Sequence, residues 1–169
     1  MKLTELFLAE LEREAPRSRR VLEAMPEGKQ DWKPHDKSMA FGYLSEIVAT
    51  IPSWIALAID RDELDLNPPD GNKLPRTPMH TKADYLAGFD KAVADARAAL
   101  QKTSDEYLQT PWKLLFGGKV VMENPRHVVI RDTIGHSAHH RGQMTVYLRL
   151  LDAKVPAVYG PSADDRSFA

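Results

Sequence analysis

Asp132, His136 and His140 stand four residues apart in the last long helical stretch of this 169-residue chain. In a helix, residues at i and i+4 share a face, with Cβ atoms about 5–6 Å apart. Two neutral imidazoles at that spacing can close on one transition-metal ion. Asp132 could complete a two-histidine, one-carboxylate set from the same helix. Its other role would be to accept a hydrogen bond from His136 or to pair with Arg131. Val129 and Thr133 continue the stripe before the histidines, and Gln143 and Tyr147 continue it after them. A mostly apolar face therefore has a polar centre. Burying such groups costs free energy unless they are hydrogen-bonded or metal-bound. Spacing alone is equally satisfied by two histidines that make ordinary hydrogen bonds.

The rest of the composition narrows the chemistry. There is no cysteine, which excludes disulfides, zinc–thiolate sites and a protein thiol nucleophile. Lys and Arg total 23 against 24 Asp and Glu, for a formal net charge of -1. So balanced a surface gives no electrostatic footprint for nucleic acid and no polybasic anchor for a membrane. A Gly-rich phosphate loop, a dinucleotide fingerprint and a GxSxG elbow are absent. The histidine pair also lacks the glutamate of HExxH proteases. No run approaches the roughly 18–20 apolar residues of a membrane span. The expectation is one cytoplasmic domain over 1–169.

The elements that position the histidines are mostly helical. Leu3, Phe7 and Leu11, with Leu6 beside them, form a helical stripe that resumes at Leu22 and Met25. Pro16 predicts a kink or restart within it. Residues 26–38 read as a loop, and Ser38 as the N-cap of a second helix. That helix buries a broad face of Leu44, Ile47, Val48, Ile51, Trp54, Ile55 and Ala58, and Pro52 predicts a bend or break in it. Residues 60–80, with four prolines and a glycine, read as a surface excursion. Thr81 caps a third helix with a stripe of Tyr85, Phe89, Val93 and Leu100. Gly117-Gly118 lies between two short apolar runs, as in a hairpin turn. Pro125 opens the last long helix, which runs to about Asp152. In the tail, Val155, Val158 and Tyr159 predict packing on the body. The expected fold is an all-α four-helix bundle with a long connection between helices two and three and a short β-hairpin before the last helix.

Single residues carry further expectations. Arg141 presents a planar fork suited to carbonyls or a carboxylate. Gly142 predicts close approach of a neighbouring helix or the tail, since a mid-helix glycine costs about 1 kcal/mol against alanine. His35, in a loop, could fold over the bundle mouth. His80 and His127 read as surface residues. Trp32 and Trp54 read as packing residues.

The strings GHSAHHRGQMTVYLRLL and VPAVYGPSADD closely resemble the DinB/YfiT-like family of four-helix-bundle proteins. The likeness extends to DWKPHDKSM and FGYLSEIVATIPSW. In that family an HxxxHRGQ motif on the last long helix supplies two metal-binding histidines, which match His136 and His140 here. His139 falls in the variable position between them. Complete family sites add a histidine on helix two, and counting back from Trp54 that position is Ile47. An aliphatic side chain cannot ligate a metal, so the resemblance implies a degenerate two-histidine site for nickel or zinc. Glu46, one residue away, is rotated about 100° around the helix. Ile47, Gln143 and Tyr147 would line the site's pocket. Two functions follow from the resemblance: metal-dependent chemistry with a low-molecular-weight thiol or a hydrolase-like reaction, or a metal-free bundle that binds a small molecule or a partner. It also implies a homodimer, which in this family commonly pairs through helices and to which the tail or the hairpin could add.

Overall fold

The computed structural model describes residues 2–168. The fold is mostly helical, with six helices and one three-stranded sheet among the described residues. α1 spans Leu3–Glu23, α2 Phe41–Thr50, α3 Ser53–Asp60, α4 Lys82–Lys102, α5 Asp105–Leu108 and α6 Arg126–Leu150. β1 is Glu63–Asp65, β2 Pro111–Phe116 and β3 Lys119–Pro125.

The helices form for local reasons that the chain makes plain. α4 begins with a reciprocal cap: the Thr81 hydroxyl accepts from Asp84 N at 3.2 Å, and the Asp84 carboxylate accepts from Thr81 N at 2.9 Å. α2 and α3 are one apolar stretch bent by 47° at Ile51–Pro52, because proline removes a helix donor and crowds the preceding turn. No single described helix is long and apolar enough to cross a membrane. Leu44, Val48, Ile51, Ile55 and Ala58 are buried along this bent limb, while Ile47 and Trp54 are half-buried.

Three local expectations are corrected. Pro16 does not restart α1, which is one helix from Leu3 to Glu23 with the proline inside it. The N-cap of α2 is Ala40 and not Ser38, whose N–H instead bonds His35 O. The excursion at 60–80 contains β1, which pairs parallel to β2 through Glu63–Lys113, Leu64–Leu114 and Asp65–Leu115. The predicted hairpin is present, with Gly117 and Gly118 at φ +62° and +77°. The Asp65 carboxylate fastens that turn by accepting from both glycine amides.

α1 packs on α4 and α6, and the bent α2–α3 limb packs on the same two helices from the other side. The shared core includes Phe41, Leu44, Phe89, Val93, Met144 and Leu148. A long-range cap closes the start of α1: the Asp105 carboxylate accepts from Leu3 N and Thr4 N at 2.8 and 3.0 Å. These backbone bonds hold its carboxyl below the usual range.

The start of α6 is fixed by Arg126, whose side chain is 2% exposed. Its guanidinium donates to Ala58 O at 2.5 Å, to Arg61 O, to the Asp62 carboxylate and to Thr110 Oγ1. It also lies over the Tyr107 ring at 4.3 Å. One side chain thus joins the end of α3, the approach to β1, the approach to β2 and the first turn of α6. Arg126→Leu leaves two carbonyls near α3 without their donor, and urea unfolding should show a loss of about 2–3 kcal/mol.

Candidate functional site

α6 brings His136 and His140 together as the i, i+4 spacing requires. Their Nε2 atoms are 2.8 Å apart, with ring centroids at 4.5 Å and planes tilted by 46°. Two imidazole lone pairs repel at that separation, so a proton or another cation must lie between them. Gln143 decides where His140 keeps its own proton. Its Oε1 lies 2.8 Å from His140 Nδ1, so Nδ1–H donates and Nε2 carries the lone pair. In the neutral pair, His136 Nε2–H then donates to His140 Nε2.

The environment favours a neutral His140. The residue is buried, and burial pushes its imidazole below the usual value, with the neighbouring charges of His136 and His139 adding to the effect. The Gln143 bond opposes this without reversing it. His136 and His139 are exposed, and the His139 ring meets His140 edge-on at 4.9 Å. The arrangement is a buried, oriented imidazole reached from solvent through an exposed one.

The two nitrogens suit one metal ion. Ligand nitrogens about 2.0–2.1 Å from a common ion lie roughly 3 Å apart at adjoining coordination positions. The wider set does not assemble. Asp132 is exposed and turned to Arg131, at 3.1 Å. Ile47 is half-buried on α2 and offers no donor. Glu46 pairs with Arg76 at 2.5 Å. His35 stays in its loop, exposed, with Nδ1 accepting from Lys37 N. Among the described residues no group of three His, Asp or Glu side chains is arranged to hold a metal.

The expected pocket residues separate. Gln143 touches His140. Tyr147 lies further along α6, with its hydroxyl donating to Met39 O at 3.1 Å and its ring against Trp32 and Phe41. A narrow apolar cleft does open where α2 meets α3, between Leu11, Ile51, Pro52, Phe89 and Ile134. None of Ile47, Gln143 and Tyr147 lines it.

Arg141 behaves as its fork suggests, but its partners come from far along the chain. Its side chain is 1% exposed and pairs with Glu14 of α1 at 2.6 Å. It also donates to Ser18 Oγ and to the hydroxyl of Tyr159 in the tail. The Tyr159 ring lies over both Arg17 and Arg141, at 4.6 and 5.0 Å. Burial alone would raise the Glu14 carboxyl, but bonds from Arg141 and Tyr159 outweigh it and hold the group below the usual range. This clasp sets the rotation of α6 and hence the direction of the histidines. The sequence marks Tyr159 as packing on the body, but nothing in it pairs Tyr159 or Glu14 with Arg141, because neither lies near Arg141 in the chain. Gly142 is corrected: nothing lies within 4 Å of where its Cβ would be. His127 is half-buried and not a free surface residue, with Nδ1 at 3.1 Å from Leu108 O.

The model of the DinB family matches residues 1–167. The chain belongs to this family. A curated relative, the uncharacterized protein YrdA of Bacillus subtilis (strain 168), is 32% identical over 90 residues, which are 52% of this chain and 51% of YrdA. The chain thus spans about half the length of that relative. Two solved DinB-like structures share the fold. One, from Bacillus cereus ATCC 10987, has TM-score 0.70 and 23% identity over 92% of this chain and 97% of that one. The other, YjoA of Bacillus subtilis, has TM-score 0.70 and 17% identity over 95% and 99%. At these identities the likeness concerns fold alone.

The depressed His140 titration has a definite consequence. Between the folded and unfolded imidazole values the unfolded chain binds more protons, so stability falls as pH drops. Urea midpoints measured from about pH 7 down to about 5.5 should decline, and His140→Gln should flatten the decline. Glu14→Gln should cost about 3 kcal/mol at neutral pH, because the Arg141 charge stays buried without its counter-ion.

Proposed function

We propose that this DinB-family chain is a single-domain four-helix bundle, with α2–α3 as one bent limb, that binds a divalent transition metal through Nε2 of His136 and His140. The observation that carries this reading is the 2.8 Å approach of the two Nε2 atoms, with His140 Nδ1 held by Gln143. That tautomer aims a lone pair of His140 at the position a shared cation would take. Nickel or zinc suits an imidazole pair. Two protein ligands leave the other coordination positions to molecules from solution, and affinity drops accordingly.

Such a metal would lower the pKa of a bound thiol and present it as a thiolate. The proposed reaction class is therefore transfer of a low-molecular-weight thiol to an electrophile, with a hydrolase-like reaction as the variant. The chain's own part is limited and specific. His140 is oriented by Gln143, His136 completes the pair from the solvent side, and the Arg141–Glu14 clasp holds the helix that carries both. Asp132, paired with Arg131, is outside the proposed ligand set. Ile47 favours a second reading, in which the bundle has lost the metal and binds a small molecule or partner.

Elemental analysis of untagged protein separates the two. After incubation with nickel or zinc and removal of excess ion, about one equivalent per chain should remain, and His136→Ala/His140→Ala should retain none. Loaded protein should then conjugate a small thiol to a model electrophile. No retained metal in the unsubstituted protein would sink the metal reading.

A further inference from the structure

The apolar cleft at the Ile51–Pro52 bend borders the histidine pair along α6. Thr133 and Ser137 line it, and each stands three residues before a histidine, Thr133 before His136 and Ser137 before His140. Residues at i and i+3 are neighbours on a helix face, with Cβ atoms about 5–6 Å apart. The cleft therefore starts one helical turn from both imidazoles. It coincides with the 47° bend of the α2–α3 limb.

Its walls are apolar: Leu11, Ile51, Ile55, Phe89 and Ile134. Most of its polar neighbours are already engaged. Thr133 Oγ1 donates to Val129 O at 2.9 Å, and Ser18 Oγ accepts from Arg141 at 3.1 Å. The Glu14 carboxylate is held by Arg17, Arg141 and Tyr159. A water molecule settles in a cavity that offers roughly two to four polar partners, so these walls favour an apolar occupant. The free volume is about 20 Å³, room for one group the size of a water or a methyl. Such a slot takes the end of a short alkyl chain and rejects a ring or a branched group.

We propose that this cleft is the acceptor subsite of the thiol transfer proposed above, seating the end of a short-chain alkyl electrophile. The inference rests on that reaction class and adds its substrate class. The thiolate sulfur forms a bond to the electrophilic carbon. The bond from that carbon to its leaving group breaks, the leaving group takes the electron pair, and the thiol proton passes to water. The cleft's part is to hold the far end of the chain, so that the reacting carbon stays on the side of His136 and His140.

Methyl proton–carbon NMR of the metal-free full chain tests the subsite without the metal. Titration with 1-chloroethane, 1-chloropropane, 1-chlorobutane and 1-chloropentane should shift the δ1 methyls of Ile51, Ile55 and Ile134. Affinity should rise about fourfold from chloroethane to chloropropane and then level off, because further carbons find no wall to bury against. Ser137→Leu fills the cleft from α6 and should weaken chloropropane binding about tenfold, with the thermal melt and the retained nickel or zinc unchanged. Ile55→Val widens the cleft and should move the plateau to chlorobutane. Loaded protein should conjugate the matching bromoalkanes in the same order of kcat/KM. Isoleucine shifts without conjugation sink the reaction and leave the alkyl site standing. Conjugation without these shifts leaves the reaction standing and overturns the subsite. So does affinity that keeps climbing with chain length, or binding that Ser137→Leu leaves intact.

Discussion

Two buried guanidiniums on α6 hold this fold in register. Arg126 ties the first turn of α6 to the end of α3 and to the approaches of β1 and β2. Arg141 ties the middle of the helix to α1 and the tail through Glu14, Ser18 and Tyr159. A buried charge is tolerated when it is paired and hydrogen-bonded, and each arginine has a carboxylate partner and further oxygen acceptors drawn from other elements. Between these two anchors α6 can neither slide nor roll. His136 and His140 lie in the segment they enclose.

The histidine pair inherits its precision from that framework. A Nε2···Nε2 distance of 2.8 Å would be unfavourable without a shared proton or cation, and a freely turning ring would relieve it. Gln143 prevents the turning of His140 by holding Nδ1, and burial keeps that ring neutral. Under the proposed metal reading, the two imidazoles are in place before any ion binds. Asp132 lies apart from the pair, exposed and beside Arg131.

What was legible in the chain follows from how local each signal is. The Thr81 cap, the Pro52 break and the Gly117-Gly118 turn are decided within a few residues, and all three stand where the pattern put them. The membership in the DinB family was legible in strings on α2, α6 and the tail. β1 was not: Glu63-Leu64-Asp65 has little strand propensity, and only β2, about 50 residues on, gives it a partner. The Asp105 cap on α1 and the Glu14–Arg141–Tyr159 clasp are long-range for the same reason. Pro16 does not restart α1, because residues buried on both sides of it, Phe7 and Leu11 before and Ser18, Val21 and Leu22 after, hold the helix in one piece. Within the site, spacing fixed the meeting of His136 and His140, while the separation of Asp132 and Tyr147 from them depends on rotamers and neighbours that spacing does not determine.

Nitrogen-15 NMR of the histidine side chains, taken on metal-free protein and again with zinc added, tests whether His136 and His140 share a metal ion through Nε2. Metal-free His140 should have Nδ1 protonated and Nε2 bare, and zinc should shift Nε2 of both His136 and His140 selectively, with Nδ1–H of His140 retained. Unchanged spectra on adding zinc, or a shift at Nδ1 of His140, would contradict it.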